Sequence, residues 1–373
     1  MRVLILVLAL GVVGCDGSSP APPDSVPPDS VLPDSVLPDV AVDTTATETL
    51  DATADASAPS FIEFPWLDAA PDVGIRICVE AADPEAAPDP TFIDCAIEGE
   101  DLTPGPAPPK AEIVVMAYNI ERGFGLDGQL DVILNDPAVP VPDILLLSEA
   151  DRGCARTDGR NITREYAAAL GMYYVYAVEF VELDGEPGAH TAHCEHGNAI
   201  LSRWPLGNVR QLRHAAQVSW FEDTDQFRLG GRVAVVADVR IGEEILRVYS
   251  VHFESAVDEW PRWEQAAETA DDGLTASGLA LVGGDMNCGY YGFDFDFGSD
   301  FDKTMKAFEE RGWVDAHLSI DPADRVTSPE HSFILDIIVG TEDVFSAPGI
   351  CPEAVCGGLS DHLPVWTTVK INP

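Results

Sequence analysis

From Ala111 onward the chain carries a series of short apolar runs, most of them ending at a carboxylate, a carboxamide or an imidazole. Ile113–Tyr118 (IVVMAY) and Ile144–Leu147 (ILLL) are too short for helices and read as strands buried on both faces. Tyr173–Phe180 and Asn198–Leu201 read the same way. Arg232–Arg240 and Ile245–Phe253 flank Gly242-Glu243, which predicts a hairpin. Glu165–Leu170, Trp260–Ala270 and Asp300–Arg311 have helical patterning, the last closed by Gly312. Leu279–Val282, Phe333–Val339 and Val365–Ile371 complete the strands. Strands dominate and helices are interspersed, which predicts a mixed α/β or α+β domain of about 260 residues.

The N-terminal sequence obeys other rules. Met1-Arg2 precedes an apolar stretch, Val3–Val13, too short to span a bilayer. It ends in Val12-Val13-Gly14-Cys15, the pattern of a bacterial lipoprotein signal over 1–14 with lipidation at Cys15. An ordinary secretory signal is the other reading, and both export the chain. The lipid would hold it at the bacterial cell envelope, facing the periplasm or the cell surface. Residues 15–60 repeat Pro-Asp-Ser-Val and then run in Thr, Ala, Ser and Asp. Such a stretch stays extended, and at about 3.1 Å per residue it is a tether reaching on the order of 100 Å. Residues 61–110 have too few apolar residues for their own core and predict a small acidic appendage pinned by a disulfide.

Export permits disulfides. Besides Cys15 there are Cys78, Cys95, Cys154, Cys194, Cys288, Cys351 and Cys356, an odd number. Proximity suggests Cys78 with Cys95, Cys351 with Cys356 and, less directly, Cys154 with Cys194. Cys288 is then the free thiol. The formal charge is −43, and residues 111–373 alone carry 18 basic against 44 acidic side chains, a net of −26. Such a charge argues against gripping long duplex nucleic acid through many phosphates.

The residues with chemistry sit where strands end: Asn119, Glu149, His252, Asp285 with Asn287, and Asp361-His362 before the last strand. Asp336 interrupts an apolar strand, and a buried carboxylate is costly without a partner. Each alone fits a turn or a structural hydrogen bond. Together they have the composition of a hydrolytic metal site.

The ordered blocks Tyr118-Asn119, Leu147-Ser148-Glu149, Gly197-Asn198-Ala199-Ile200-Leu201-Ser202, Val251-His252-Phe253-Glu254-Ser255, Gly284-Asp285-Met286-Asn287, Asp336 and Ser360-Asp361-His362 resemble the endonuclease/exonuclease/phosphatase superfamily, typified by pancreatic deoxyribonuclease and abasic-site endonucleases. The resemblance covers about residues 111–372. It implies an α+β fold, a four-layer α/β/β/α sandwich of the deoxyribonuclease-I-like type, over 111–373. It also implies that Asn119 and Glu149 hold Mg²⁺ or Mn²⁺, with Asp361 a further ligand or a group that orients the water. Asp285 and Asn287 would activate water, His362 held by Asp336 would contact the phosphate, and His252 would stabilise the reacting oxygens or protonate the leaving group. Asn198 would touch substrate. Two departures stand out. Ser332 begins the Asp336 strand where relatives carry Arg, and Glu121-Arg122-Gly123 resembles an uncharacterised bacterial branch rather than the DNA-cutting members.

Arg152, Arg156, Arg160 and Arg164 recur every fourth residue after Glu149. Arg152 and Arg156 are expected to grip a phosphate, whereas Arg160 and Arg164 suit pairing with surface acids such as Glu165. His190, His193 and His196 have metal-binding residue types but read as a loop beside Gly185–Gly188. Asp294, Asp296, Asp300 and Asp302 lack the Gly and the terminal Glu of a calcium loop. The expected activity is metal-dependent phosphoester hydrolysis of a nucleic acid or a small or lipid-linked phosphate, as a nuclease or phosphodiesterase. A phosphomonoesterase and a non-catalytic surface-binding lipoprotein are the alternatives.

Overall fold

Alternation within the apolar runs decides the layering. A computed structural model describes residues 78, 89–105, 107–184, 191–221, 227–255, 259–291 and 303–371, all within one compact unit. The signal, Cys15 and the tether lie outside them. One sheet is built from β1 (Glu98–Asp101), β2 (Glu112–Arg122), β3 (Ile144–Arg152), β4 (Tyr173–Asp184), β5 (Thr191–Ser202), β7 (Arg228–Gly230), β13 (Phe345–Ile350) and β14 (Val365–Lys370). Its order is β1-β4-β5-β3-β2-β14-β13, with β7 also on β4. The other sheet holds β6 (Leu206–Arg213), β8 (Val233–Ile241), β9 (Glu244–His252), β10 (Ala280–Tyr291), β11 (Val314–Asp315) and β12 (Phe333–Gly340), in the order β11-β12-β10-β9-β8-β6.

Side chains of period two go to opposite faces. Ile113, Val115 and Ala117 of β2, with Ile144 and Leu146 of β3, meet Val235, Ala237 and Val239 of β8 and Ile338 of β12 in the core between the sheets. Met116, Tyr118, Leu145 and Leu147 face outward, under α1 (Leu126–Asn135) and α2 (Ile162–Leu170). Ala234, Val236, Val282 and Ile337 do the same on the second sheet, under α3 (Glu259–Gly273) and α4 (Thr304–Glu309). Both faces are covered, hence the near-continuous apolar runs. This is the four-layer sandwich expected from the sequence. The helix at α2 starts where the Asn161 side chain accepts the Arg164 N–H at 3.1 Å and stops at Gly171, φ +64°.

Each sheet contains one parallel pair: β2 with β3 through α1, and β9 with β10 through α3. Their carboxyl ends meet between the sheets. Ser148 Oγ donates to Val251 O and Ser250 Oγ to Leu147 O, each at 3.0 Å, a reciprocal buried stitch. Gly284 packs so closely that a Cβ would lie 2.0 Å from Val251 O, so no other residue fits there.

Among the described residues three disulfides join Cys78–Cys95, Cys154–Cys194 and Cys351–Cys356, and Cys288 is buried outside them. That is the expected pairing. The part of 61–110 that is described does more than pack on the domain: β1 is an edge strand of the first sheet, paired with Tyr173–Tyr176 of β4.

Candidate active site

Irregular backbone marks the ends of the strands that carry the expected chemistry. The β2–β3 register shifts after Asn119, the β3–β5 register shifts between Leu147 and Ala150, and β10 slips against β12 after Asp285. Such bulges re-aim side chains. Glu121, Arg122, Glu149 and Asn287 all have positive φ, between +46° and +64°, which non-glycine residues adopt at an energetic cost. The cost falls on the residues around the cleft.

The register places Asp285 beside His252 on one side and Asp336 on the other. Asn119 Nδ2 crosses from the other sheet and donates to Asp285 Oδ2 at 2.9 Å and to Glu149 Oε1 at 3.2 Å. The imidazole Nε2 atoms of His252 and His362 lie 3.5 Å and 3.7 Å from the same Asp285 oxygen. His362 Nδ1 meets Asp336 Oδ2 at 2.6 Å. Asn287 N–H donates to Asp285 Oδ1 at 2.9 Å, and its amide donates to Phe253 O at 3.0 Å. Asp361, at the rim, donates its N–H to Glu121 Oε2 at 3.1 Å. The structure thus brings Asn119, Glu149, His252, Asp285, Asn287, Asp336, Asp361 and His362 together.

Burial and neighbours set their charges. Burial raises Asp285 above the usual carboxylate range, and Asp336 adds to this against the opposing pull of His362. His362 loses proton affinity by burial, but Asp336 and Asp285 outweigh this and hold it well above the ordinary histidine value. His252 moves well below it, through burial and the nearby Arg232. Of these two imidazoles, His362 is thus favoured as the cation and His252 as the neutral ring. Burial raises Glu121 and Asp361; the Asp361 charge raises Glu121 further, and the Glu149 charge raises Asp361 against the pull of His362.

Asn119 has partners other than those expected. Its nitrogen faces the two carboxylates, while Oδ1 accepts the Glu121 N–H at 3.1 Å. The residue thus holds Asp285 and Glu149 in place.

The three expected substrate contacts are corrected. Arg152 is buried at 1% exposure, because β3 continues through it and delivers its guanidinium to Glu98 and Glu195, over the Tyr176 ring. Arg156 places its fork on Asp151 at 2.7 Å and on Glu182 at 2.9 Å. Asn198 is fully buried and donates to Glu179 Oε1 at 2.9 Å and Val233 O at 3.1 Å. Arg152 and Asn198 are closed to a phosphate, and Arg156, though partly exposed, is committed to two carboxylates. Arg160 pairs with Glu165 and Asp127, and Arg164 with Glu100, as surface arginines do.

Sequence reasoning missed Arg122 and Glu179, and set His196 aside as a loop residue. Arg122 is half-buried at the end of β2, over the exposed Phe124 ring, with no ion pair among the described residues. Its charge acts on Glu149 and Asp361. Glu179 lies under His252, 3.8 Å from Nδ1. His193 and His196 are strand residues of β5, not loop residues, and His196 turns toward Glu149 and His252. His190 and the Asp294–Asp302 run lie outside the described residues.

Residues 116–324 match the profile of the Endonuclease/Exonuclease/phosphatase family. An endonuclease/exonuclease/phosphatase from Beutenbergia cavernae superposes with TM-score 0.53 at 17% identity, over 70% of this chain and 72% of that one. A family protein from Leptotrichia buccalis gives 0.49 at 13% identity, over 69% and 100%. The human Nocturnin catalytic domain gives 0.47 at 17% identity, over 74% and 98%. No curated protein sequence matches the chain. The matched span contains both parallel strand pairs whose ends form the cleft, and the chain belongs to the endonuclease/exonuclease/phosphatase family of phosphoester hydrolases.

Proposed function

We propose that this protein hydrolyses a phosphodiester, with a divalent cation, by in-line attack of a water activated at Asp285. The observation that carries this reading is the convergence of Asn119, His252 and His362 on a single oxygen of Asp285. A raised carboxyl is matched to taking a proton near neutral pH. The Asn119 amide and the Asn287 N–H keep it oriented. His362, cationic and fixed by Asp336, donates Nε2–H to a non-bridging phosphate oxygen as charge develops.

Glu121, Glu149 and Asp361 fit a hard divalent ion. They supply oxygen donors, and the repulsion that Asp361 and Glu149 exert on Glu121, and Glu149 on Asp361, is what a cation held by the three would relieve. When bound, Mg²⁺ or Mn²⁺ neutralises charge on the phosphate and the leaving oxygen.

The substrate in this reading is small or short. With Arg152 and Arg156 engaged in internal ion pairs, Arg122 is left as the guanidinium for a phosphate, and a net of −26 over residues 111–373 repels a long polyanion. The enzyme is placed at the cell envelope through a lipid on Cys15, a reading supported by its leader sequence and by three disulfides, which need an oxidising compartment. Detergent-purified full-length protein tests the chemistry on bis-p-nitrophenyl phosphate, p-nitrophenyl phosphate and plasmid DNA, with and without EDTA. Chelator-sensitive cleavage of the diester is expected. Release from the monoester alone would make it a phosphomonoesterase, and no turnover of any substrate would leave a binding protein. Cys15→Ser is expected to move the protein from the membrane to the soluble fraction.

A further inference from the structure

His196 has no place in that chemistry, yet it is fully buried in the wall of the cleft. Its Nδ1 lies 3.0 Å from Asp151 Oδ1. A carboxylate there fixes the tautomer, with the proton on Nδ1 and the lone pair on Nε2. Nε2 has no hydrogen-bond partner among the described residues. One ligand atom each from His196, His252 and Glu149 lies within 4.8 Å of the others. His252 brings Nε2 to 3.9 Å from Glu149 Oε1 without a normal hydrogen bond. The three come from adjacent regions of both sheets: β5, β9 and β3.

We propose that His196, His252 and Glu149 form a second cation site, selective for a borderline transition ion such as Zn²⁺ or Co²⁺ and adjoining the oxygen-donor site of Glu121, Glu149 and Asp361 through the shared Glu149.

Two imidazoles and one carboxylate form a three-ligand set that suits Zn²⁺ and Co²⁺ and is poorly matched to Mg²⁺. Three protein ligands leave a position open toward the cleft, where a water or phosphate oxygen can bind. Glu149 retains 20% exposure of its side chain and provides the way in. The outer partners also fit. Asp151 backs His196, and the Arg156 fork holds Asp151 through two bonds of 2.7 Å. That explains why Arg156 is spent internally.

Glu149 and Glu182 face the cluster against Arg156 and Arg228, and Arg228 is itself tied to Glu182 at 3.1 Å and packed over the Phe180 and Trp220 rings. Arg122 and Arg232 add positive charge nearby, so the donor geometry rather than the net field carries the site. In this arrangement His252 is a ligand, and donation to the phosphate falls to His362.

The site shares Glu149 with the proposed hydrolytic centre, so its test reads metal rather than turnover. Full-length protein stripped with EDTA is titrated with Zn²⁺ by calorimetry in excess Mg²⁺, and separately with Co²⁺ by visible absorption. Wild type is expected to bind Zn²⁺ despite the Mg²⁺ and to give the intense spectrum of a low-coordinate cobalt with nitrogen ligands. His196→Gln should abolish both. Asp151→Asn, which keeps the ligand but loosens its tautomer, should weaken Zn²⁺ by about 10–100-fold. His193→Gln should leave binding unchanged. Circular dichroism confirms that each variant folds, and if His196→Gln does not, Asp151→Asn decides. Zn²⁺ binding that survives in the folded His196→Gln, or in Asp151→Asn at full strength, or that is absent from wild type, overturns the site. Loss of diester cleavage with Zn²⁺ binding intact would instead remove the hydrolytic reading alone.

Discussion

Asn119 belongs to one sheet and Asp285 to the other, and the 2.9 Å bond from the Asn119 amide to Asp285 Oδ2 joins them at the floor of the cleft. The bond does two things. It aims the carboxylate, and it partly offsets the cost of burying it.

Asp285→Asn is therefore expected to lower kcat on bis-p-nitrophenyl phosphate by on the order of 10²–10⁴. The fold should persist, since the change removes a desolvated carboxyl. Initial rates with a parallel melting curve check this. A rate close to wild type would mean that the attacking water is activated elsewhere.

Arg122→Ala should raise KM on a phosphodiester and lower kcat/KM by about 10–100-fold, the loss of a charge-assisted hydrogen bond of about 1.5–3 kcal/mol. Arg156→Ala should cost stability instead. Steady-state kinetics separate the two: an unchanged KM in Arg122→Ala removes it from the substrate site.

Asp336 is the largest of the contributions that hold His362 protonated against burial. Asp336→Asn should let burial dominate and move the His362 titration down toward or below the ordinary histidine value. Histidine side-chain NMR on metal-free protein reads this directly, and an unmoved resonance would assign the shift to Asp285.

Glu179 is pushed up to about 7 by burial, against the pull of Arg232. Its ordinary value is 4.5, so the native state binds this proton more tightly than the unfolded chain does. The stability of wild type relative to Glu179→Gln must then fall as pH rises from about 4.5 to about 7, and stay level above that. Melting temperatures of both proteins across that range, in EDTA, test the sign.

Much of this was legible before any coordinates. Strand runs buried on both faces are apolar throughout, so the residue that ends each one is conspicuous, and Asn119, Glu149, His252 and Asp285 announced themselves that way. Proximity suggested the cysteine pairs, Cys154 with Cys194 least directly. The arginines misled because their partners are remote. Glu98 reaches Arg152 on an edge strand more than fifty residues upstream, and nothing local in the Arg152 sequence signals an arriving carboxylate. Glu179 looked like one polar residue in a strand, and its role depends on Asn198 and Arg232 from elsewhere. His196 was hidden by its neighbours, since a His-rich segment beside glycines reads as a loop, whereas pairing with β3 and β4 makes it a strand.

Glu98→Ala is expected to destabilise the protein by about 3–5 kcal/mol, because it leaves the buried Arg152 with half its counter-charge. Asn161 and Tyr174 lose a partner as well, at 2.7 Å and 2.6 Å. Chemical denaturation measures the loss, and a cost below about 1 kcal/mol, the value of a surface pair, would show that the guanidinium finds water.

The same carboxylate limits where the chain could be clipped and still fold. Protease nicking at the proline-rich stretch before Ala111 would discard Glu98, the β1 edge and the Cys78–Cys95 bridge, and would leave a charged side chain stranded in the interior. A released form that still folds must be clipped upstream of Cys78.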